Sequence, residues 1–149
     1  MPSCKQPGGQ MRDERSCYRT DVFSAPDKLS FLQRVRVAGY FCRVFFVSTA
    51  DPRINAARVA GRMLQGGHSV PIDKISTRYV RSMANLQQAF ELANRVYVYD
   101  NSREGEDARL TARVQDGQLR KVYGELPKWV GDAIAPLPLH AAFVDLRVA

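Results

Sequence analysis

The chain has 149 residues, of which 45% are hydrophobic and 25% are charged, as expected for one globular domain with a hydrophobic core. Lysine and arginine total 22 against 15 acidic residues, and the resulting net charge of +7 favours phosphate or polyanion partners. The three cysteines, Cys4, Cys17 and Cys42, have no paired spacing, which argues against a disulfide framework and against a zinc site. No apolar run approaches the length of a transmembrane helix, and residues 1–15 are polar, unlike a signal peptide, so we expect a cytoplasmic protein.

Composition divides the chain into three segments. Residues 1–15 are polar and predict a disordered arm, residues 16–135 carry the patterns of one domain, and residues 136–149 form an apolar but poorly patterned tail. Residues 20–23 are a candidate strand end just before the first helix.

The first helix is predicted to begin after Ser24 as its cap, with Pro26 in the first turn, and to end at Gly39. Residues 40–47 are apolar except for Arg43, which is typical of a strand buried on both faces.

Two further helices and a strand follow. The turn at Asp51 and Pro52 predicts a helix over 52–65, which ends at Gly66. A third helix is predicted over 72–93 and a strand over 95–100. Strands that alternate with helices in this way indicate a parallel sheet with helices on its faces.

The last third has a different pattern. Asp116 and Gly117 lie between two candidate strands, 110–114 and 118–122, and this is a strong signal for a β-hairpin. Residues 127–134, around Trp129, predict a short helix.

Arginines frame the Gly66-Gly67 turn on both sides. Arg58 and Arg62 are four residues apart before it, and Arg78 and Arg81 are three apart after it, so each pair shares a face of its helix. From Arg53 to Arg81 the only acidic residue is Asp73. Guanidinium groups that converge without acids repel one another unless an anion lies between them, so we expect a bound phosphate. Glycines at the turn would let the two helices close over it as a mobile lid.

Several blocks of the chain, in this order and spacing, resemble the zeta-toxin-like family of P-loop kinases, and most of all its bacterial branch of predicted ATPases. The resemblance extends over residues 22–102 and on to about 130. The blocks are Val22-Phe23-Ser24, Asp27-Lys28-Leu29, Ala38-Gly39-Tyr40, Phe46-Val47, Asp51-Pro52, Arg58-Val59 with Arg62, Gly66-Gly67-His68-Ser69-Val70-Pro71, Ile75, Arg78-Tyr79, Arg81-Ser82, Asn85-Leu86 and Tyr99-Asp100-Asn101-Ser102.

The resemblance implies an α/β fold, a P-loop kinase-like three-layer sandwich with a parallel sheet, a helical lid and a C-terminal β-hairpin. It implies transfer of a phosphoryl group from ATP, with Mg²⁺, to a hydroxyl such as that of a sugar nucleotide, and an antitoxin protein as a further partner. On this interpretation, Arg78 and Arg81 act on the transferred phosphate, while the nucleotide is bound by Arg58, Arg62, His68 and Asn101. Neither a membrane nor a nucleic acid is an expected partner.

The chain departs from the family in three of its functional motifs. It contains no G-x-x-x-x-G-K-[ST] loop, and the nearest candidate, Gly9 followed by Glu14, would place a negative charge in a phosphate cradle. No residue matches the family's catalytic aspartate, and the acid of its Glu-Thr-Val pattern is lost or shifted to Asp21. We therefore expect an incomplete kinase with weak nucleotide binding and little or no turnover.

A second interpretation stays open: a non-enzymatic basic module that binds RNA or an antitoxin-like protein. Tyr97, Tyr99, Tyr123 and Trp129 could stack on bases, although such residues are more often found at the edge of a core.

Overall fold

The computed structural model describes residues 23–68 and 70–147. The predicted arm, Gly9, Glu14, Cys4 and Cys17 lie outside the described residues. So does the candidate strand end at 20–23, except for Phe23, which lies in a turn. The elements in chain order are α1 (Asp27–Val37), β1 (Arg43–Ser48), α2 (Pro52–Leu64), α3 (Ile72–Leu92), β2 (Arg95–Asp100), β3 (Arg109–Gln115), β4 (Gln118–Tyr123), α4 (Lys128–Ile134) and β5 (Leu139–Leu146).

The five strands form one mixed sheet in the order β1-β2-β3-β4-β5. β1 and β2 pair in parallel, as the alternation of helices and strands predicts, and so do β4 and β5. β3 is antiparallel to both of its neighbours. The fold is therefore α/β with a mixed sheet rather than a fully parallel one.

Alternate residues of the strands form one apolar face. Val44 is in register with Val96, and Val96 with Val114; Phe46 is in register with Val98, and Val98 with Ala112. Helices α1, α3 and α4 cover this face and contribute Leu32, Leu86, Phe90, Trp129, Val130 and Ile134 to the same core cluster. Within the described residues the helices of this cluster thus pack on a single face of the sheet, whereas the three-layer sandwich of the sequence analysis stays a prediction.

β1 differs from its prediction as a strand buried on both faces. Phe46 is 4% exposed, but Phe45 and Val47 on the opposite face are 58% and 53% exposed. Local sequence could not reveal this, because an apolar run shows that a face can be buried and not whether another element covers it.

The predicted hairpin is confirmed. β3 and β4 are joined by Asp116 and Gly117, with φ angles of 47° and 76°. Positive φ at both central residues is what a two-residue turn needs to match the twist of its strands.

Two boundaries differ from the sequence analysis. α1 begins after Pro26 without a side-chain cap, and Ser24, the predicted cap, is buried instead. At the other end of the chain, the segment predicted as a tail includes β5, which extends the sheet beyond β4. β5 is an edge strand that buries only part of one face, through Phe143, so its sequence lacks a regular alternation.

Candidate functional site

A cavity of about 1970 Å³ runs along β1 and is bounded by α1, α2, α3 and the loop after β2. We call it the β1 cavity. Its base is apolar and includes Val44 and Phe46, whereas its rim carries the long polar side chains of α2 and α3. An apolar base with a few convergent polar groups is typical of a small-molecule site.

Helix α2 brings Arg58 and Arg62 to this cavity. The carboxylate of Asp51 fixes the start of the helix by accepting the backbone N–H of Arg53 at 2.7 Å. Four residues are slightly more than one helical turn, so both arginines lie on the side of α2 that faces β1. Arg58 Nη2 also donates to the carbonyl of Arg103 at 3.2 Å, which ties it to the loop after β2.

Helix α3 contributes Arg78 and Tyr79 to the opposite wall, but not Arg81. Ile75 and Ser82 line the cavity too and mark the inward side of α3. An α-helix turns by about 100° per residue, so Arg81 is rotated by about 100° from Ser82, away from the cavity. Three of the four arginines predicted to converge therefore line one cavity, and the fourth is directed elsewhere.

The two other predicted nucleotide-binding residues are placed differently. Asn101, directly after β2, lines the β1 cavity, whereas His68 is exposed and is not among its lining residues. His68 follows the end of α2, between Gln65 and Val70, which both line the cavity.

Gly66 and Gly67 terminate α2 in a specific way. The N–H of Gly66 donates to the carbonyl of Met63 at 3.0 Å, and that of Gly67 donates to Arg62 at 2.9 Å. Gly66 has a φ of 92°. This is a Schellman cap, in which a left-handed residue lets the chain satisfy the last carbonyls of a helix. The turn thus has a static role, and the predicted hinge motion stays a prediction.

The lining of the β1 cavity is strongly basic. In the described part of the chain, the lining has one acidic side chain, Glu104. Its basic side chains are Lys28, Arg43, Arg58, Arg62 and Arg78. Among the described residues, none of the three arginines from α2 and α3 forms an ion pair with a carboxylate. The sequence analysis missed Lys28 and Arg43, which are distant in sequence from the turn and enter the cavity only through the fold.

The carboxyl ends of β1 and β2 meet beside this cavity, and Asp100 is the buried centre of that edge. Its Oδ1 accepts the indole N–H of Trp129 at 2.8 Å and the hydroxyl of Ser102, and its Oδ2 lies 3.7 Å from Arg109 Nη2. The Ser102 hydroxyl in turn accepts the N–H of Ala50 at 2.8 Å. Since the carboxylate is fully engaged and 3% exposed, it joins β2, α4 and the loop after β1 rather than facing a ligand.

Tyr79 closes the same edge from α3. Its hydroxyl donates to the carbonyl of Thr49 at 2.9 Å. Burial raises the pKa of Tyr79 above its usual value, and the negative charges of Asp51 and Asp100 raise it further. The hydroxyl therefore stays protonated and remains a hydrogen-bond donor at neutral pH.

Two other pKa values are shifted for structural reasons. Hydrogen bonds from Arg53 lower the pKa of Asp51, which keeps the cap of α2 ionised. Burial raises the pKa of the Cys42 thiol, so this thiol is less reactive than an exposed one.

Within residues 23–68 and 70–147, no three His, Cys, Asp or Glu side chains form a group that could hold a metal ion. The β1 cavity offers guanidinium donors that suit phosphate oxygens, and Glu104 is its only carboxylate among the described residues.

The predicted aromatic platform is divided between the two faces of the sheet. Trp129 is buried in the core, where its ring lies 6.4 Å from that of Phe46. Tyr97 is in register with Arg113, on the opposite face, and Tyr99 and Tyr123 follow on that face by strand alternation.

Comparisons with protein-family models, with curated proteins and with solved structures find no match for this chain. In the described part of the chain, no helix combines the length and the apolar character needed to cross a bilayer.

Proposed function

We propose that this chain is a zeta-toxin-like protein that binds the phosphate groups of a nucleotide, ATP in the first instance, in the β1 cavity. The observation that carries the proposal is the convergence of Arg58 and Arg62 from α2 with Arg78 from α3 on a single cavity. The family and the nucleotide come from the resemblance of the sequence blocks, whereas the expected place of the phosphates comes from the arginines.

The arginines have donors to spare. Arg58 gives one N–H to the carbonyl of Arg103, and Arg62 gives its Nε–H to the carbonyl of Arg58 at 3.3 Å. A guanidinium group carries five N–H donors, so most of those on Arg58 and Arg62 remain for a ligand. Paired N–H groups match phosphate oxygens in a bidentate geometry, which favours a phosphate over a single-point anion.

Asn101 supplies the proposed base end of the site. It lies at the carboxyl end of β2, where open α/β sheets commonly bind ligands. Its amide can both donate to and accept from a nucleobase edge, in contrast to the purely donating guanidinium groups. The proposed nucleotide therefore extends from the arginine wall towards the end of β2.

Transfer of the phosphoryl group requires more than these residues. In P-loop kinases, a glycine-rich loop and Mg²⁺ hold the phosphates while cationic groups stabilise the charge that develops on them. The sequence has no Walker A pattern, and the described residues contain no metal-ligand group. We therefore propose ATP binding with little or no turnover, with a hydroxyl acceptor such as a sugar nucleotide as the substrate class of the complete reaction.

The test compares arginines that line the cavity with one that does not. ATP binding to the full chain is measured by calorimetry, with and without Mg²⁺, for the wild type and for Arg58→Gln/Arg78→Gln. We expect the double variant to lose at least tenfold in affinity, since it removes two charged hydrogen-bonding groups from the proposed phosphate site. Lys74→Gln/Arg81→Gln is the matched control, since it removes the same charge from exposed positions of α3 outside the cavity, and it should bind as the wild type does.

Two results would contradict the proposal. One is equal ATP affinity of the wild type and the double variant. The other is an equal loss in Lys74→Gln/Arg81→Gln, which would indicate a general effect of net charge. Rapid ATP hydrolysis or sugar-nucleotide phosphorylation by the purified chain would contradict the expected lack of turnover.

A further inference from the structure

The face of the sheet opposite the core cluster shares Arg43 and Phe45 with the lining of the β1 cavity and continues beyond it over β2, β3 and β4. We call it the open sheet face. Its central row runs across four strands, from Phe45 on β1 through Tyr97 and Arg113 to Lys121 on β4. Adjacent strands are about 4.8 Å apart, so the row extends over about 14 Å.

The cations of this face are not neutralised within the described residues. They are Arg43, Arg95, Arg113 and Lys121, and none of them forms an ion pair with a described carboxylate. Arg43 and Arg95 instead place their guanidinium carbons 5.2 Å and 5.4 Å from the centre of the Phe41 ring. The Nε atoms of Arg95 and Arg113 are buried and have no hydrogen-bond partner among the described residues. Four cations on one face with no ion pair to a described carboxylate favour an anionic partner.

Aromatic rings lie between these charges. The rings of Phe45 and Tyr97 are stacked, with centroids 5.0 Å apart and planes within 9° of each other. Phe45 is 58% exposed, so the stack is accessible from solvent. On β4, Lys121 Nζ lies 5.0 Å from the centre of the Tyr123 ring. Aromatic side chains that alternate with cations on a flat surface satisfy the two needs of a nucleic acid strand, base stacking and phosphate neutralisation.

We infer that the open sheet face binds a short stretch of single-stranded nucleic acid. Bases stack on the aromatic side chains of β1 and β2, on the ring faces that the contact between Phe45 and Tyr97 leaves free, and the phosphates contact Arg113 and Lys121. A duplex does not fit this description, because its bases are already stacked on one another and cannot reach Tyr97. Sheet surfaces with exposed aromatics commonly take two or three unpaired bases in this way.

The test separates this face from the β1 cavity. Tyr97, Arg113 and Lys121 do not line that cavity, so their variants leave the proposed ATP site intact. Binding of a fluorescent 12-nucleotide oligouridylate, and of the matching oligothymidylate, is followed by anisotropy over a range of salt concentrations. Equal affinity for the two would indicate stacking and phosphate contacts alone, and tighter RNA binding would add contacts to the 2′-hydroxyl; either result supports the inference.

Arg113→Gln/Lys121→Gln tests the phosphate contacts. We expect the slope of log K against log salt to fall by about 0.7 for each phosphate-binding cation that is removed, or about 1.4 for the pair. Arg34→Gln/Lys74→Gln is the matched control, since it removes the same charge from exposed positions on α1 and α3. An equal change of slope in the two pairs would overturn the inference.

Tyr97→Leu tests the stacking. It keeps an apolar side chain of similar reach but removes the ring, and we expect about tenfold weaker binding. Tyr97→Phe keeps the ring and should restore the affinity, which excludes misfolding as the cause. Unchanged binding in Tyr97→Leu, a preference for duplex over single strands, or no binding by the wild type at low salt would overturn the inference whether or not ATP binds.

Discussion

The indole N–H of Trp129 donates to Oδ1 of Asp100 at 2.8 Å, and this bond joins α4 to the carboxyl end of β2. Both partners are almost fully buried, at 8% and 3% exposure. A carboxylate in such a position is tolerated only because donors surround it. The order of this strand edge, next to the β1 cavity, therefore depends on a helix that begins 28 residues after Asp100 in the sequence.

Trp129→Phe should lower the free energy of unfolding by about 2 kcal/mol, because it keeps an aromatic ring but leaves a buried carboxylate without one of its donors. Urea unfolding measures the change. Asp132→Asn on the exposed side of α4 is the control and should change it by less than about 0.5 kcal/mol. If the two variants were equally stable, the bond would not hold α4 in place.

The glycines after α2 and inside it predict different outcomes for the same substitution. At Gly66, where φ is 92°, alanine should destabilise by about 1 kcal/mol. At Gly67, a Cβ would lie 2.8 Å from the carbonyl oxygen of Arg62, so alanine should be at least as costly. At Gly61, inside α2 and with open space around it, alanine should stabilise by about 1 kcal/mol.

Thermal and urea unfolding of the three alanine variants would check this order. A stabilising Gly67→Ala would show that the cap adjusts without cost, and would support a flexible hinge at this turn in place of a fixed helix end.

The sequence predicted those parts of the fold and the site that depend on residues close together in the chain. The Asp116-Gly117 hairpin and the strand at 95–100 were predicted well, because turn chemistry and alternation are local. The convergence of Arg58, Arg62 and Arg78 was also within reach, since helix spacing limits their directions. The bond between Trp129 and Asp100, the exposure of Phe45 and the pairing of β5 depend on contacts between distant segments, for which one sequence carries no signal.

Tyr79 predicts a dependence of stability on alkaline pH. Its pKa in the folded chain is above the value of 10.0 expected when unfolded, so the unfolded chain loses the proton first. The contribution of this group is therefore complete below pH 10 and is lost as the pH rises through the folded pKa.

Tyr79→Phe removes both the hydrogen bond to Thr49 and this titration. At pH 8 the variant should be about 1 kcal/mol less stable than the wild type. The difference should shrink as the pH rises above 10, because only the wild type loses stability through this group. Urea unfolding at a series of pH values gives the comparison, and a difference that stays constant would exclude Tyr79 as the source.

The two faces of β1 predict different losses of stability when neighbouring phenylalanines are replaced by alanine. Phe46 is 4% exposed and meets Phe23 edge to face at 5.9 Å, so Phe46→Ala should cost about 3–5 kcal/mol. Phe45 is 58% exposed and its main contact is the stack with Tyr97, so Phe45→Ala should cost less than about 1.5 kcal/mol. The ratio matters more than either value, because a strand buried on both faces would give similar losses at the two positions. Equal losses in urea unfolding would mean that another segment covers Phe45, and the open sheet face would then not be free to bind a nucleic acid strand.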